Sequence, residues 1–138
     1  SYKKLIPCIF IDEGKAVKWF DNREVLSENV VSLAKYYSDH GADETFFFDL
    51  SSSDEEHEEA IAIMKKISRA IRIPMVAGGN IKRQEDIKKI LYAGAKRAVL
   101  NFSKAISFEL IEEAAKGLER KKISVSLNDL MRCLSNSI

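Results

Sequence analysis

A chain of 138 residues is long enough for one domain with its own core and does not require two. Its 22 Lys and Arg residues balance 21 Asp and Glu residues, for a formal net charge of +1, which excludes a general attraction to nucleic acid or to an acidic membrane surface. The two cysteines, Cys8 and Cys133, fit neither a zinc site nor a disulfide framework. Apolar runs are strand-sized and no signal peptide is apparent, so we expect a cytoplasmic protein without membrane span, nucleic-acid partner, metal or cofactor.

Short apolar runs alternate with amphipathic stretches along the chain, as expected of parallel strands connected by helices. The predicted strands cover residues 5–11, 45–50, 73–77, 98–101 and 123–127. Nearly every position in these strands is apolar, which is typical of strands covered on both faces. We therefore predict a single α/β domain over 1–138, built from repeated βα units with a mainly parallel five-stranded sheet.

Three amphipathic stretches have the start and stop signals of helices. Ser27 is placed to cap a helix that Gly41 ends, and Ser53 is placed to cap a second helix that begins with the acidic residues 54–56. A glycine turn leads into the third. His57 stands among carboxylates at the start of the second helix, without a second metal-type ligand at convincing spacing, so we expect it on the surface.

Short motifs spread along the chain carry a resemblance to a known family. They are Ile6-Pro7-Cys8, a glycine turn before Val17-Lys18, Leu33-Ala34-Lys35-Tyr36-Tyr37, Gly41-Ala42-Asp43-Glu44, Phe48-Asp49-Leu50, Pro74, Gly78-Gly79, Gly94-Ala95 and Asn101. Together they span nearly the whole chain and resemble the amino-terminal half of the cyclase subunit of imidazole glycerol phosphate synthase. The related isomerase of histidine biosynthesis shares most of the pattern, but Cys8 after Pro7 favours the cyclase.

The resemblance implies a histidine-pathway (βα)8 barrel, of which this chain supplies four units and a fifth strand. A half barrel leaves a large apolar inner face bare, which soluble monomers rarely do. The alternative is an open, flavodoxin-like sheet of strand order 2-1-3-4-5 with helices on both faces. We favour the open sheet, because Phe10 and Phe102 put aromatic rings where a barrel mouth would hold polar groups.

The family's chemistry uses aspartates at the ends of its first and fifth strands as general acid and base. By the resemblance, these positions are Phe10 and Asn128 here, and neither side chain exchanges a proton near neutral pH. Asp12 is a nearby acid shifted along the chain, which we interpret as a solvated loop residue. Lys18 and Asp49 match retained family positions, but each also has a structural interpretation, and for Asp49 it is that of a loop-capping acceptor. We assign no catalytic residue.

Phosphate binding is the second function that the resemblance implies for this half. It requires close backbone approach and unsatisfied amide donors at helix amino termini. Phe102 occupies the place of a small hydroxyl residue, for which Ser103 is a possible substitute, and Asn80 replaces a third glycine. The predicted phosphate-binding residues are Gly78, Gly79, Asn80, Asn101 and Ser103.

Two further groups of residues stand out. Lys4, Glu44 and Arg97 match charged residues that the family places around the central opening at the opposite end of the barrel, and we expect them to be solvated or to pair with one another. Trp19 and Phe20 are unusual for an exposed loop and are expected to cover the sheet end or to contact a partner.

Three hypotheses for function follow. The first is a cyclase-like domain that is inactive alone and serves as a docking, folding or phosphate-ligand-sensing module, with a phosphorylated small molecule and a fused or associated histidine-pathway domain as partners. The second is a half-barrel subunit of an assembled enzyme that acts on a phosphoribosyl substrate. The third is a flavodoxin-like binder of a phosphorylated cofactor, suggested only by the possible fold.

Overall fold

A computed structural model of the chain describes residues 3–100 and 123–125. In chain order the described elements are β1 (Cys8–Asp12), β2 (Lys15–Val17), β3 (Val25–Ser27), α1 (Val30–Asp39), β4 (Thr45–Asp49), α2 (Asp54–Ala70), β5 (Met75–Gly78), α3 (Gln84–Tyr92), β6 (Arg97–Leu100) and β7 (Ile123–Val125). The five predicted strands are confirmed as β1, β4, β5, β6 and β7. The repeated βα organisation is therefore confirmed.

All the described strands belong to one sheet, in the order β3-β2-β1-β4-β5-β6-β7. The five predicted strands run parallel, and each pairs with the next of them along the chain. The additional strands β2 and β3 join antiparallel beside β1. Because β3 and β7 are the two ends of the described sheet, it is open rather than closed, and its parallel strands follow the order of a half (βα)8 barrel.

The flavodoxin-like order 2-1-3-4-5 is wrong. That order needs β1 to lie between β4 and β5, but one edge of β1 is paired with β2 and the other with β4. The helices also lie on one side, because α1, α2 and α3 bury their apolar residues in a single cluster with one face of the sheet. The described helices thus cover the sheet as they do in a barrel, from outside only.

The extra strands arise from a tight turn after β1. Glu13 and Gly14 both have positive φ, of 49° and 75°, and they connect Asp12 to its paired residue Lys15. Two consecutive left-handed residues are the signature of a type I′ hairpin turn, whose twist matches that of the flanking strands. Because β2 and β3 have only three residues each, their alternation was too short to be predicted.

The helix caps agree in part with the sequence. Ser53 caps α2, since its side chain accepts a hydrogen bond from the amide of Glu56 at 3.2 Å. The predicted Ser27 cap of α1 is wrong by two residues. Asn29 caps that helix through the amide of Ser32 at 3.0 Å, and the Ser27 hydroxyl accepts a hydrogen bond from the Asn29 amide instead.

Both faces of the parallel strands are apolar, for different reasons. Alternate residues such as Ile11, Phe47 and Leu100 pack under the helices. The residues between them form a second, inner cluster, in which Cys8 and Phe48 pack against the buried side chains of Phe46, Val76 and Val99. Helix packing on one face and strand-to-strand packing on the other explain why the strands are apolar at nearly every position.

Two further sequence predictions concern the cysteines and membrane-spanning helices. Cys8 lies partly buried at the start of β1, and the other cysteine, Cys133, lies outside the described residues. In the described part of the chain, no helix combines the length and the apolar character needed to cross a membrane.

Phe47 is the central side chain of the helix-covered core, and its replacement should be costly. It is fully buried, so Phe47→Ala should lower the free energy of unfolding by about 3–5 kcal/mol through lost burial and an unfilled cavity. Phe20→Ala is the matched control, because Phe20 is 44% exposed, and it should cost about 1 kcal/mol or less. Urea denaturation of the two variants checks this, and equal losses would contradict the assigned core.

Candidate functional site

The candidate site lies where the parallel strands end and the loops into α2 and α3 begin. In βα-repeat folds, ligands bind at this carboxyl-terminal end of the sheet. Three features meet here: the end of β1 with its hairpin, the loop 50–53 after β4, and residues 78–81 at the end of β5. We call residues 78–81 the glycine corner.

Phe10, in the middle of β1, is part of an aromatic cluster. It is only 2% exposed. Its ring centroid lies 5.4 Å from that of Trp19 in an edge-to-face arrangement and 6.1 Å from that of Phe48. Trp19 also contacts Phe20, at 5.2 Å, so Trp19 covers the end of the sheet as expected. Phe10 is therefore a buried ring that neither donates nor accepts protons.

The charged residues of the hairpin are engaged with one another. The Asp12 carboxylate lies 3.2 Å from the Arg23 guanidinium, and the Lys18 ammonium lies 4.0 Å from the Glu24 carboxylate. Arg23 and Glu24 both lie in the turn between β2 and β3. Both side chains of the Lys18–Glu24 pair are more than half exposed, so this pair contributes little to stability.

Asp49 is a buried structural residue. It is paired in register with Ile11, whose side chain lies in the helix-covered core, and it is 2% exposed. One carboxylate oxygen accepts the Ser51 amide at 2.9 Å, and the other lies 2.5 Å from Nδ1 of His57. The capping interpretation of Asp49 is therefore confirmed, and its side chain lies on the helix side of the sheet rather than the inner side.

His57 is buried, and its predicted surface location is wrong. It is 5% exposed, with Nδ1 bonded to Asp49 and Nε2 3.6 Å from the Asp86 carboxylate. The sequence contained the signal. His57 begins a series, spaced by three or four residues, that continues on the buried face of α2 with Ala60, Ile61, Met64 and Ile67. The neighbouring carboxylates hid this periodicity.

The glycine corner has a backbone that few residues can adopt. Gly79 has a φ of 86°, and an added Cβ would clash with the backbone of Asp49. An added Cβ at Gly78 would lie 2.6 Å from the carbonyl oxygen of Val99. Asn80 also has positive φ, 52°, which asparagine tolerates better than most residues, and its amide donates to the Ser51 hydroxyl at 2.7 Å. Both glycines are thus required by the close approach of neighbouring strands.

The backbone amides at and just after the glycine corner differ in their partners. The amides of Lys82 and Arg83 are taken by the Asp86 carboxylate, at 2.9 and 3.0 Å. The amides of residues 79–81 make no hydrogen bond within the described part of the chain. Consecutive amides around left-handed residues can form a concavity suited to an anion where no protein group takes them. The other two predicted phosphate-binding residues, Asn101 and Ser103, lie outside the described residues, as do Phe102 and Asn128.

The opposite end of the sheet holds the predicted charge cluster. The buried Glu44 carboxylate lies 3.8 Å from Lys4 and 3.3 Å from Arg97, so these residues do pair with one another. Elsewhere, a hydrogen bond from Lys89 of α3 lowers the pKa of Glu58 on α2, and the same bond raises the pKa of Lys89. No cluster suited to holding a metal ion occurs among residues 3–100.

Comparison with known proteins identifies the family. The model of the histidine biosynthesis protein family matches residues 4–132. The chain belongs to this family. It is 36% identical over 114 residues to imidazole glycerol phosphate synthase subunit HisF of Clostridium botulinum (strain Alaska E43 / Type E3), covering 82% of this chain and 45% of that protein. It is 34% identical over 135 residues to HisF of Methanococcus maripaludis (strain C7 / ATCC BAA-1331), covering 97% and 50%.

These similarities confirm the resemblance to the cyclase subunit within the histidine biosynthesis family. The chain spans about half the length of the HisF relatives that it matches. This agrees with the fold, since the described parallel strands follow the order of half a barrel.

The close approach at Gly79 gives a test of the corner. Gly79→Ala should destabilise the protein by more than the roughly 1–2 kcal/mol that a left-handed backbone costs a non-glycine residue, because its Cβ also meets the Asp49 backbone. Gly41→Ala is the matched control, since Gly41 has a similar φ of 92° but open space around it. Thermal unfolding of both variants measures the difference. A Gly41→Ala variant as unstable as Gly79→Ala would contradict the packing described.

Proposed function

We propose that this chain is a cyclase-type half barrel that does not catalyse proton transfer by itself and serves as a phosphate-ligand-binding module of histidine biosynthesis. The observation that supports this proposal is the burial of Phe10, which by the resemblance matches the family's first acid, inside an aromatic cluster. General acid–base catalysis raises the rate of such reactions roughly 10²–10⁴-fold, and the Phe10 side chain cannot supply it.

The phosphate part of the proposal is supported by the glycine corner. The amides of residues 79–81 have no hydrogen-bond partner among the described residues, and Gly79 and Asn80 both have the left-handed backbone that occurs in anion-binding turns. Amides in this arrangement bind anions without a fixed cation. Lys82 is exposed next to the corner and adds positive charge without a fixed geometry.

A second candidate is the half-barrel subunit of an assembled enzyme. The barrel order of the parallel strands favours it, because further βα units could continue the parallel part of the sheet beyond β7. In this case the phosphoribosyl substrate and an associated or fused histidine-pathway domain complete the site. The flavodoxin-like cofactor binder loses its basis, since it depended on the 2-1-3-4-5 order.

Catalytic inactivity is the first expectation to test. The isolated chain should show no turnover of the phosphoribosyl substrate with ammonia above a heat-denatured control. Phe10→Asp should not create activity either, because the new acid has neither its partner acid nor a positioned substrate. Positioning alone can lower the activation barrier by roughly 7–11 kcal/mol, so most of the barrier would remain. Turnover by the unmodified chain would refute the non-catalytic function and support the enzyme.

Phosphate binding is the second expectation. Titration with inorganic phosphate at constant ionic strength should shift the amide resonances of residues 79–81. The dissociation constant should be on the order of millimolar, which corresponds to a binding free energy of about −4 kcal/mol. Asn80→Asp should abolish the response, because it places a carboxylate in the corner with little change in shape.

Asn22→Asp provides the matched control for this titration. It makes the same change in the exposed hairpin turn, and the new carboxylate keeps the acceptor that the Glu24 amide uses at 3.2 Å. The control should bind phosphate as the unmodified chain does. If residues 79–81 do not respond at all, the glycines serve only the turn.

A further inference from the structure

A side-chain hydrogen bond joins the loop after β4 to the glycine corner. The side-chain amide of Asn80 donates to the Ser51 hydroxyl oxygen at 2.7 Å. The loop itself is fixed by Asp49, whose carboxylate accepts the Ser51 backbone amide at 2.9 Å and whose backbone packs against Gly79. Ser51 is partly buried. Its hydroxyl is therefore held beside the glycine corner.

The Ser51 hydroxyl has a donor that the described residues do not use. A serine hydroxyl donates one hydrogen bond and accepts others through its oxygen lone pairs. Here a lone pair receives the Asn80 side-chain amide, so the O–H bond points in another direction. Among the described residues, no group accepts this hydrogen. The hydroxyl is thus oriented as a donor by the contact with Asn80.

The neighbouring backbone groups determine what can use this donor. The amides of residues 79–81 also lack partners in the described part of the chain. Those of Lys82 and Arg83 are bonded to the Asp86 carboxylate, which limits the free donors on that side of the corner. An oxyanion at the corner therefore has donors in residues 79–81 and, on the side of the loop after β4, in the Ser51 hydroxyl.

We propose that Ser51 contacts the ligand of the glycine corner, and that its hydroxyl donates a hydrogen bond to a phosphate group bound by the amides of residues 79–81. A phosphate group has several strong acceptor oxygens, so donors from two successive βα loops are used at once. The role of Asn80 is to orient the hydroxyl. This inference rests on the proposed function, because it names a further contact for the phosphate that the corner is proposed to bind.

The first experiment titrates inorganic phosphate at constant ionic strength and follows the amide resonances of residues 79–81. Ser51→Ala should weaken binding about tenfold, the effect of losing one hydrogen bond to a charged group. Ser51→Thr keeps a hydroxyl and should bind as the unmodified chain does. Ser52→Ala is the matched control and should also leave the affinity unchanged, because Ser52 is exposed in the same loop and its hydroxyl is bonded to Glu56 at 3.3 Å.

A double-mutant cycle separates a direct contact from an effect through Asn80. Ser51→Ala also leaves the Asn80 side-chain amide without its acceptor, and this alone can disturb the corner. Asn80→Gly removes that amide and keeps the left-handed backbone, because glycine adopts positive φ readily. In the Asn80→Gly background, Ser51→Ala should still weaken phosphate binding about tenfold. If the loss disappears in this background, Ser51 acts only by holding Asn80, and the inference is wrong.

The outcomes separate this inference from the proposed function. If residues 79–81 respond to phosphate and Ser51→Ala binds it as tightly as the unmodified chain, the binding function stands and the Ser51 contact is wrong. If the unmodified chain does not bind phosphate, the binding function and the contact both fail. Binding that is weakened in Ser51→Ala, retained in Ser51→Thr and weakened again by Ser51→Ala in the Asn80→Gly background supports the contact.

Discussion

The pairing of both edges of β1 is the constraint on which the rest of the structure depends. The type I′ turn at Glu13 and Gly14 folds β2 onto one edge of β1, and β4 occupies the other. A third parallel strand therefore has no place beside β1 and must add to β4 instead. Successive strands then extend the sheet in one direction only, with their helices on one side, and barrel order follows from a two-residue turn.

One-sided helix cover determines the character of the candidate site. The inner face of the sheet receives no apolar side chain from the described helices, so its own residues pack against one another. Phe10 belongs to this face, and Trp19 from the hairpin closes over it. An acid in the same place would need water or a polar substrate beside it, because burying a charge among aromatic rings is costly. The aromatic cluster therefore makes the position of Phe10 unfavourable for a charged side chain.

The sequence predicted the parallel strands well and the sheet order poorly. Runs such as 45–50 are apolar at nearly every position, which identifies a buried strand but is the same in a barrel and in a doubly wound sheet. The order was decided by β2 and β3, which are too short to show alternation. His57 was misplaced because the acidic residues around it dominated the local pattern. Gly78 and Gly79 were recognised as a turn; their close approach to Val99 and Asp49 is seen only in the structure, and phosphate binding stays a prediction.

Asp49 shows why a retained residue does not by itself indicate retained chemistry. Its carboxylate lies on the helix side of β4, where it holds the loop after the strand and the ring of His57. These contacts are intramolecular and need no substrate. A chain that had lost its catalytic acids would still require them, because Gly79 packs on the Asp49 backbone and the whole corner depends on that contact. These intramolecular contacts alone therefore account for an aspartate at this position, without any role in proton transfer.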